Sequence, residues 1–193
     1  TITTSNPVRA RFYEYPRFTY PWHFHSEYEI IYVEKGEGDC LVGDSIISYS
    51  KGDLILFGSE LPHSMQSPPD DGEESDNEEK SELKVRGVNI QFEKDFMHYS
   101  ISQYSQFIPI RNLLEDACRG IKFTITRSGK IIKLLKQIPS AKGVDQIILL
   151  LSLLQMMATS NHRKYLTTSH YTPSPSIMRN ERMEKVIAYL NKH

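Results

Sequence analysis

The sequence predicts a mainly β plus α fold, in which a small antiparallel β-barrel is followed by a helical segment. In the first half, short runs of aromatic and β-branched residues alternate with glycine-containing turns, which is typical of all-β barrels and sandwiches. From Pro109 onwards, apolar residues recur every three to four positions instead of every two. This change of period indicates that strands give way to helices.

Length and composition restrict the class of protein. The 193 residues can form one domain with an apolar core, or one domain plus a fragment of another. The formal net charge of −1 gives no general support for nucleic-acid binding. Two cysteines are too few for a disulfide framework, and no apolar run reaches the roughly 20 residues of a membrane span. We therefore expect a cytoplasmic protein with no membrane partner.

The strands are predicted from turn signals and β-rich runs. They lie, in order, at 9–20, 29–33, 39–43, 45–49, 54–57 and 83–92, and the last is expected to close the barrel. Residues 34–38 and Gly43-Asp44 are predicted to form hairpin turns. The stretch at 68–82 carries eight acids against Lys80. It is expected to be a disordered loop because it can bury almost no apolar surface.

Three helices are predicted after the strands. Pro109 suits the first turn of the first helix, whose apolar stripe consists of Ile110, Leu113, Leu114 and Ala117. The second has the same spacing before Pro139, at Ile131, Leu134, Leu135 and Ile138. The third, at 144–158, is apolar nearly all round, so it must be covered on more than one side.

This third helix is the candidate dimer contact. We expect it to pack on its neighbours and against a second copy of the chain, through Ile147, Ile148, Leu151 and Leu154. Burial entirely within one subunit is the open alternative.

Three histidines and a carboxylate form the candidate site. His23, His25 and Glu29 have the same parity, so on one extended strand their side chains leave the same face, where His63 can meet them. Ile31 and Val33 share that parity and would supply apolar wall to a ligand pocket.

This donor set allows three interpretations. Three imidazoles and a carboxylate suit a divalent transition metal such as Zn, Fe, Mn or Ni. The same side chains could instead line a polar pocket for a small-molecule effector. They could also be barrel histidines without any ligand role.

The spacing of these residues resembles the two sequence motifs of the cupin superfamily, over residues of about 8 to 95. The first motif is complete, whereas Ser50-Lys51-Gly52 stands where cupins often show Pro-x-Gly, and no Asn follows His63 at the usual offset. This resemblance implies a jelly-roll barrel whose interior holds a metal or a small ligand.

The order of the predicted elements resembles that of AraC-type transcription regulators over the whole chain. Residues 117–123 are similar to the Arg-Gly-aliphatic-x-Phe turn between helices of their sensor domains, and Val186, Tyr189 and Leu190 stand where their first DNA-binding helix begins. The resemblance implies four parts: a ligand-sensing barrel at 1–105, a helical dimerisation segment at 106–168, a linker at 169–179, and the first helix of a truncated helix-turn-helix domain at 180–193.

The resemblance implies a regulator and not an enzyme. A small-molecule effector in the barrel would bias the arrangement of a homodimer, and DNA would be bound only through the missing carboxy-terminal domain. The alternative is a metal-dependent cupin enzyme, a dioxygenase or isomerase, in which His23, His25, Glu29 and His63 hold iron or manganese.

Overall fold

A computed structural model describes residues 2–3, 6–68, 85–125 and 129–172 of the chain. The acidic loop expected up to residue 82, the linker from residue 173 and the last predicted helix at 180–193 lie outside the described residues.

The described strands form two antiparallel sheets. The large sheet has the order β1-β7-β2-β5-β8-β9 and the small sheet the order β4-β3-β6. The strands are β1 Val8–Tyr15, β2 Tyr28–Lys35, β3 Gly38–Val42, β4 Ser45–Tyr49, β5 Asp53–Phe57, β6 His63–Gln66, β7 Val85–Phe92, β8 Ile121–Thr124 and β9 Arg163–Tyr165. The helices are α1 His98–Gln103, α2 Ile108–Asp116, α3 Gly129–Gln137 and α4 Gly143–Ala158.

The large sheet is the middle of three layers. On β2, Ile30 and Tyr32 belong to an apolar core shared with the helices, whereas Ile31 and Val33 belong to a second core shared with the small sheet. A strand covered on both faces needs apolar residues at successive positions, which explains why every residue of β5 is buried. The candidate site lies in the second core, between the two sheets.

The connections between strands differ from the prediction at two places. The hairpin predicted at 34–38 is wrong, because β2 pairs with β5 and β7 while β3 pairs with β4 and β6. Residues Gly36 and Gly38, both with positive φ, therefore carry the chain from one sheet to the other. The last predicted strand, β7, lies between β1 and β2 inside the large sheet instead of closing a barrel at its edge.

The three predicted helices are present as α2, α3 and α4, but the segment 106–168 also contributes two strands. Gly120, with φ 63, ends the short 3-10 turn after α2, and β8 follows at once and pairs with β5. Residues 117–123 are therefore not a turn between helices. Of the helices in the described ranges, none combines the length and apolar character needed to cross a membrane.

One side of α4 is buried by its own subunit and the other is open. Leu154, one of the predicted dimer contacts, is 0 % exposed and packs inside its own subunit in this conformation. Ile147 and Leu151 are half-buried, whereas Ile148 is 54 % and Val144 69 % exposed. An exposed apolar strip therefore remains on the amino-terminal half of α4.

A matched pair of glycine substitutions tests the packing of the middle layer. A Cβ atom at Gly87 on β7 would lie 1.8 Å from the Tyr32 carbonyl oxygen and 2.7 Å from the Tyr13 hydroxyl, whereas one at Gly129 would meet open space. We expect Gly87→Ala to lower the free energy of unfolding by about 2–3 kcal/mol. Gly129→Ala should change it by less than about 0.5 kcal/mol. Urea unfolding measures both, and equal effects would contradict the strand order.

Candidate functional site

The structure brings the four predicted side chains together between the two sheets. Glu29 points inward from β2 of the large sheet, and His63 is the first residue of β6 in the small sheet. His23 and His63 exchange two backbone hydrogen bonds, of 3.1 and 2.9 Å. One donor atom from each of His23, His25, Glu29 and His63 lies within 4.8 Å of the other three. The geometry is that of a single cluster, while its role in binding stays a prediction.

The side chains converge for a different reason from the one predicted. Strand β2 begins only at Tyr28, and residues 24–27 are bends and loop. His23 reaches the cluster because its backbone pairs with His63, and His25 is held by its own carbonyl, which accepts a hydrogen bond of 2.8 Å from the Glu60 amide. The shared parity of these residues therefore coincides with the arrangement without causing it.

Glu29 is the centre of the cluster. Its Oε2 faces Nε2 of His63 at 2.9 Å and Nε2 of His25 at 3.3 Å, and its Oε1 accepts from the side-chain amides of Asn89 at 2.5 Å and Gln91 at 3.0 Å. Burial alone would raise the pKa of this carboxyl, but the hydrogen bonds from His25, His63 and Asn89 outweigh it and hold the pKa well below its usual range. The side chain of Glu29 is therefore ionised although it is buried.

The three imidazoles share one orientation. Each Nδ1 lies within hydrogen-bonding distance of a backbone carbonyl oxygen: His23 with Pro21 at 2.8 Å, His25 with Glu27 at 3.1 Å, and His63 with Leu61 at 2.8 Å. A carbonyl oxygen can only accept, so each Nδ1 carries a proton and each Nε2 is left for the cluster. A hydrogen bond from the ring nitrogen that does not bind the ion is what orients histidine ligands at metal sites.

The surroundings of His25 and His23 shift the pKa values of these two histidines in opposite directions. Burial would lower the pKa of His25, but its hydrogen bond and charge interaction with Glu29 outweigh burial and raise it. For His23, burial is the largest influence and lowers the pKa. His23 therefore has the stronger preference for the neutral form, in which Nε2 offers a lone pair.

A cavity of about 80 Å³ lies beside the cluster. Ile31 lines it, whereas Val33, which lies in the second core, and His25 are not among the described residues of the cavity wall. The remaining lining residues are Arg11, Tyr13, Tyr15, Phe18, Tyr20, His23, Glu29, His63, Met65, Asn89 and Gln91.

Sequence reasoning missed most of this wall. Asn89 and Gln91 gave a signal, because two polar residues of equal parity interrupt the apolar residues Val88, Ile90 and Phe92. Arg11 gave none, since its neighbour across the strands is Asn89, which is far away in sequence.

Removal of the central carboxylate tests the cluster. Glu29→Ala would leave the buried donors of His63 and Asn89 and the half-buried donor of Gln91 without their acceptor, so we expect a loss of about 3–5 kcal/mol in the free energy of unfolding. Glu27→Ala, two residues away and outside the cavity wall, should cost less than about 1 kcal/mol. Urea unfolding in EDTA measures both, and a near-neutral Glu29→Ala would refute the central role of this carboxylate.

Comparison with known proteins finds a matching family model and solved structures with a similar fold. A family model described as the AraC-like ligand binding domain matches residues 6–76. No curated protein matches the chain. The fold is similar to that of ToxT from Vibrio cholerae strain SCE256 with a bound unsaturated fatty acid, at 14% identity and a TM-score of 0.52, covering 96% of this chain and 65% of that one.

A second ToxT structure, from strain O395 with bound (E)-4-(8-methylnaphthalen-1-yl)but-3-enoic acid, gives 13% identity and a TM-score of 0.51. The match covers 95% of this chain and 66% of that one. This chain thus spans slightly less than two thirds of the length of ToxT. The predicted mainly β plus α fold class, with strands followed by helices, is confirmed. Residues 6–76 of this chain are thus similar in sequence to the AraC-like ligand-binding domain.

Proposed function

We propose that this chain is the effector-sensing and dimerisation part of an AraC-type DNA-binding transcription regulator. The observation that carries the proposal is a cavity with a buried polar cluster on its wall, inside a domain that matches the AraC-like ligand-binding family. The two ToxT structures each hold an organic acid, which supports a small organic effector for this chain as well. DNA would be bound through a carboxy-terminal domain that follows the linker at 169–179.

The segment before the linker offers a route from the cavity to that domain. The backbone amide of Thr168 donates to Asp44 Oδ1 at 3.0 Å, and the Thr168 hydroxyl donates to the other carboxylate oxygen. Tyr171 packs over Gly43 and belongs to the same apolar core as Ile31 on the cavity wall. A ligand that shifts the small sheet would therefore move the start of the linker.

The open strip on α4 supports the dimer. Val144 and Ile148 lie one turn apart and are more than half exposed, and half-buried Ile147 and Leu151 continue the strip. Apolar side chains exposed together on one helix are typical of a helix-to-helix contact. Two copies of the chain would pair along α4, with Leu154 retained inside each subunit.

The polar cluster also fits a divalent transition metal. His23, His25 and His63 would supply Nε2 and Glu29 an oxygen. The carbonyl contacts of the three Nδ1 atoms would hold the imidazoles in the orientation that such ligands need. A bound ion would neutralise Glu29 and polarise an effector oxygen in the cavity. Without one, the hydrogen bonds from His25, His63, Asn89 and Gln91 stabilise the charge of Glu29.

Metal titration tests this fit. The chain should bind one Co²⁺ or Zn²⁺ per molecule, with weaker affinity at low pH because the imidazoles must be neutral to bind. His63→Ala should weaken binding at least about tenfold by removing a ligand, whereas His98→Ala, on the exposed start of α1, should leave it unchanged. Cobalt absorption spectra and calorimetry measure both. Equal affinities of the two variants would rule out the cluster as the metal site.

The regulator itself is tested in the complete gene product, with a reporter fused to the promoters it binds. Ile31→Phe fills the cavity and should abolish the response to the effector, whereas Phe12→Ala, on an exposed position of β1, should preserve it. Oxygen uptake by the iron-loaded protein tests the alternative, a metal-dependent cupin enzyme. Oxygen consumption without any promoter response would favour a cupin dioxygenase over the regulator.

A further inference from the structure

We propose that the effector is a small monocarboxylic acid with a flat apolar body, and that Arg11 binds its carboxylate. This inference rests on the proposed effector-sensing function of the cavity and names the chemical class that the cavity accepts. It is carried by a guanidinium on the cavity wall whose hydrogen-bonding capacity is largely unused by the described residues.

Arg11 is a half-buried cation with no matching anion among the described residues. Its Nε is buried without a hydrogen-bond partner, and its Nη2 has only a long contact of 3.5 Å with the Tyr20 hydroxyl. None of the ion pairs found in the described part of the chain involves Arg11. A desolvated donor without an acceptor is costly, so an acceptor supplied by a ligand would bind well here.

The chemistry of guanidinium favours a carboxylate. Nε and a terminal nitrogen of Arg11 form two parallel donors, which match the two oxygens of a carboxylate. The carboxylate of Glu29 lines the same cavity and is held by four protein donors, so it has no need of Arg11. Its charge also opposes a dianion such as phosphate more strongly than a monoanion.

The rest of the wall suits a flat apolar body. Four aromatic rings form a continuous surface with centroids 5.2–6.2 Å apart: Tyr13, Tyr15, Phe18 and Tyr20. Their hydroxyls are partly committed already, since Tyr13 donates to the Tyr32 carbonyl and Tyr20 donates to Tyr15. These rings would contact the ligand mainly through their faces, which favours another ring over a sugar.

The size of the cavity limits the ligand. Its 80 Å³ is well below the roughly 300–1,000 Å³ of typical drug-sized pockets, so a long chain does not fit inside it. Tyr20 at the edge of the ring surface is 38 % exposed. A single ring can therefore lie against Tyr20 with its carboxylate turned inward to Arg11.

Benzoate and its neutral isostere benzamide test this assignment. Both are titrated into the chain in EDTA, so that no metal can bind the carboxylate, and binding is followed by calorimetry and by the NMR signal of the Arg11 Nε–H group. Benzoate should bind at least tenfold more tightly than benzamide and shift that signal. Arg11→Gln should abolish the difference. Arg9→Gln removes the same charge from an exposed position of β1 and should preserve it.

Thermal unfolding separates binding from a structural role. Arg11→Gln removes a cation that has no ion pair among the described residues, so its Tm should equal or exceed that of the wild type, whereas loss of a structural residue would lower it. Equal binding of benzoate and benzamide, no binding of benzoate, or competition by inorganic phosphate at equal concentration would each overturn the carboxylate assignment.

The two proposals fail separately. If a neutral effector controls the promoter and benzoate does not bind, only this assignment fails. If benzoate binds through Arg11 and no effector controls a promoter, only the regulator fails.

Discussion

The carboxylate of Glu29, 5 % exposed and lying between two sheets, is the constraint on which the rest of the structure depends. A buried charge is costly unless it is paired and hydrogen-bonded. Glu29 meets this requirement with donors from three places: β7 of the large sheet, β6 of the small sheet and the loop before β2. The pairing of these strands therefore places the donors, and the carboxylate in turn favours that pairing over others.

This arrangement links stability to binding through one set of atoms. The Nε2 atoms of His25 and His63 that stabilise Glu29 are the same atoms that would hold a metal ion. Backbone carbonyls hold each ring through its Nδ1 atom. The rings would therefore need little reorganisation if an ion replaced the protons at Nε2. Arg11 is the complementary case, because its buried Nε has no acceptor among the described residues and would gain one only from a ligand.

The sequence predicts what depends on local pattern. The His-x-His motif with Glu29 and His63 identified the polar cluster, and the spacing of apolar residues identified α2, α3 and α4. What could not be predicted depends on strand order. Because β7 inserts between β1 and β2, Arg11 and Asn89 become neighbours although a long stretch of chain separates them. Strand β8 is only four residues long, so its alternation was too short to distinguish from a turn.

A double-mutant cycle between Glu29 and His63 tests the central claim most directly, because it isolates the contact between the two sheets from the separate effects of each substitution. Urea unfolding of Glu29→Ala, His63→Ala and the double variant in EDTA gives the coupling free energy. The account predicts a coupling of at least about 1 kcal/mol. Additivity within about 0.3 kcal/mol would show that the carboxylate and the imidazole do not interact, and would contradict the account.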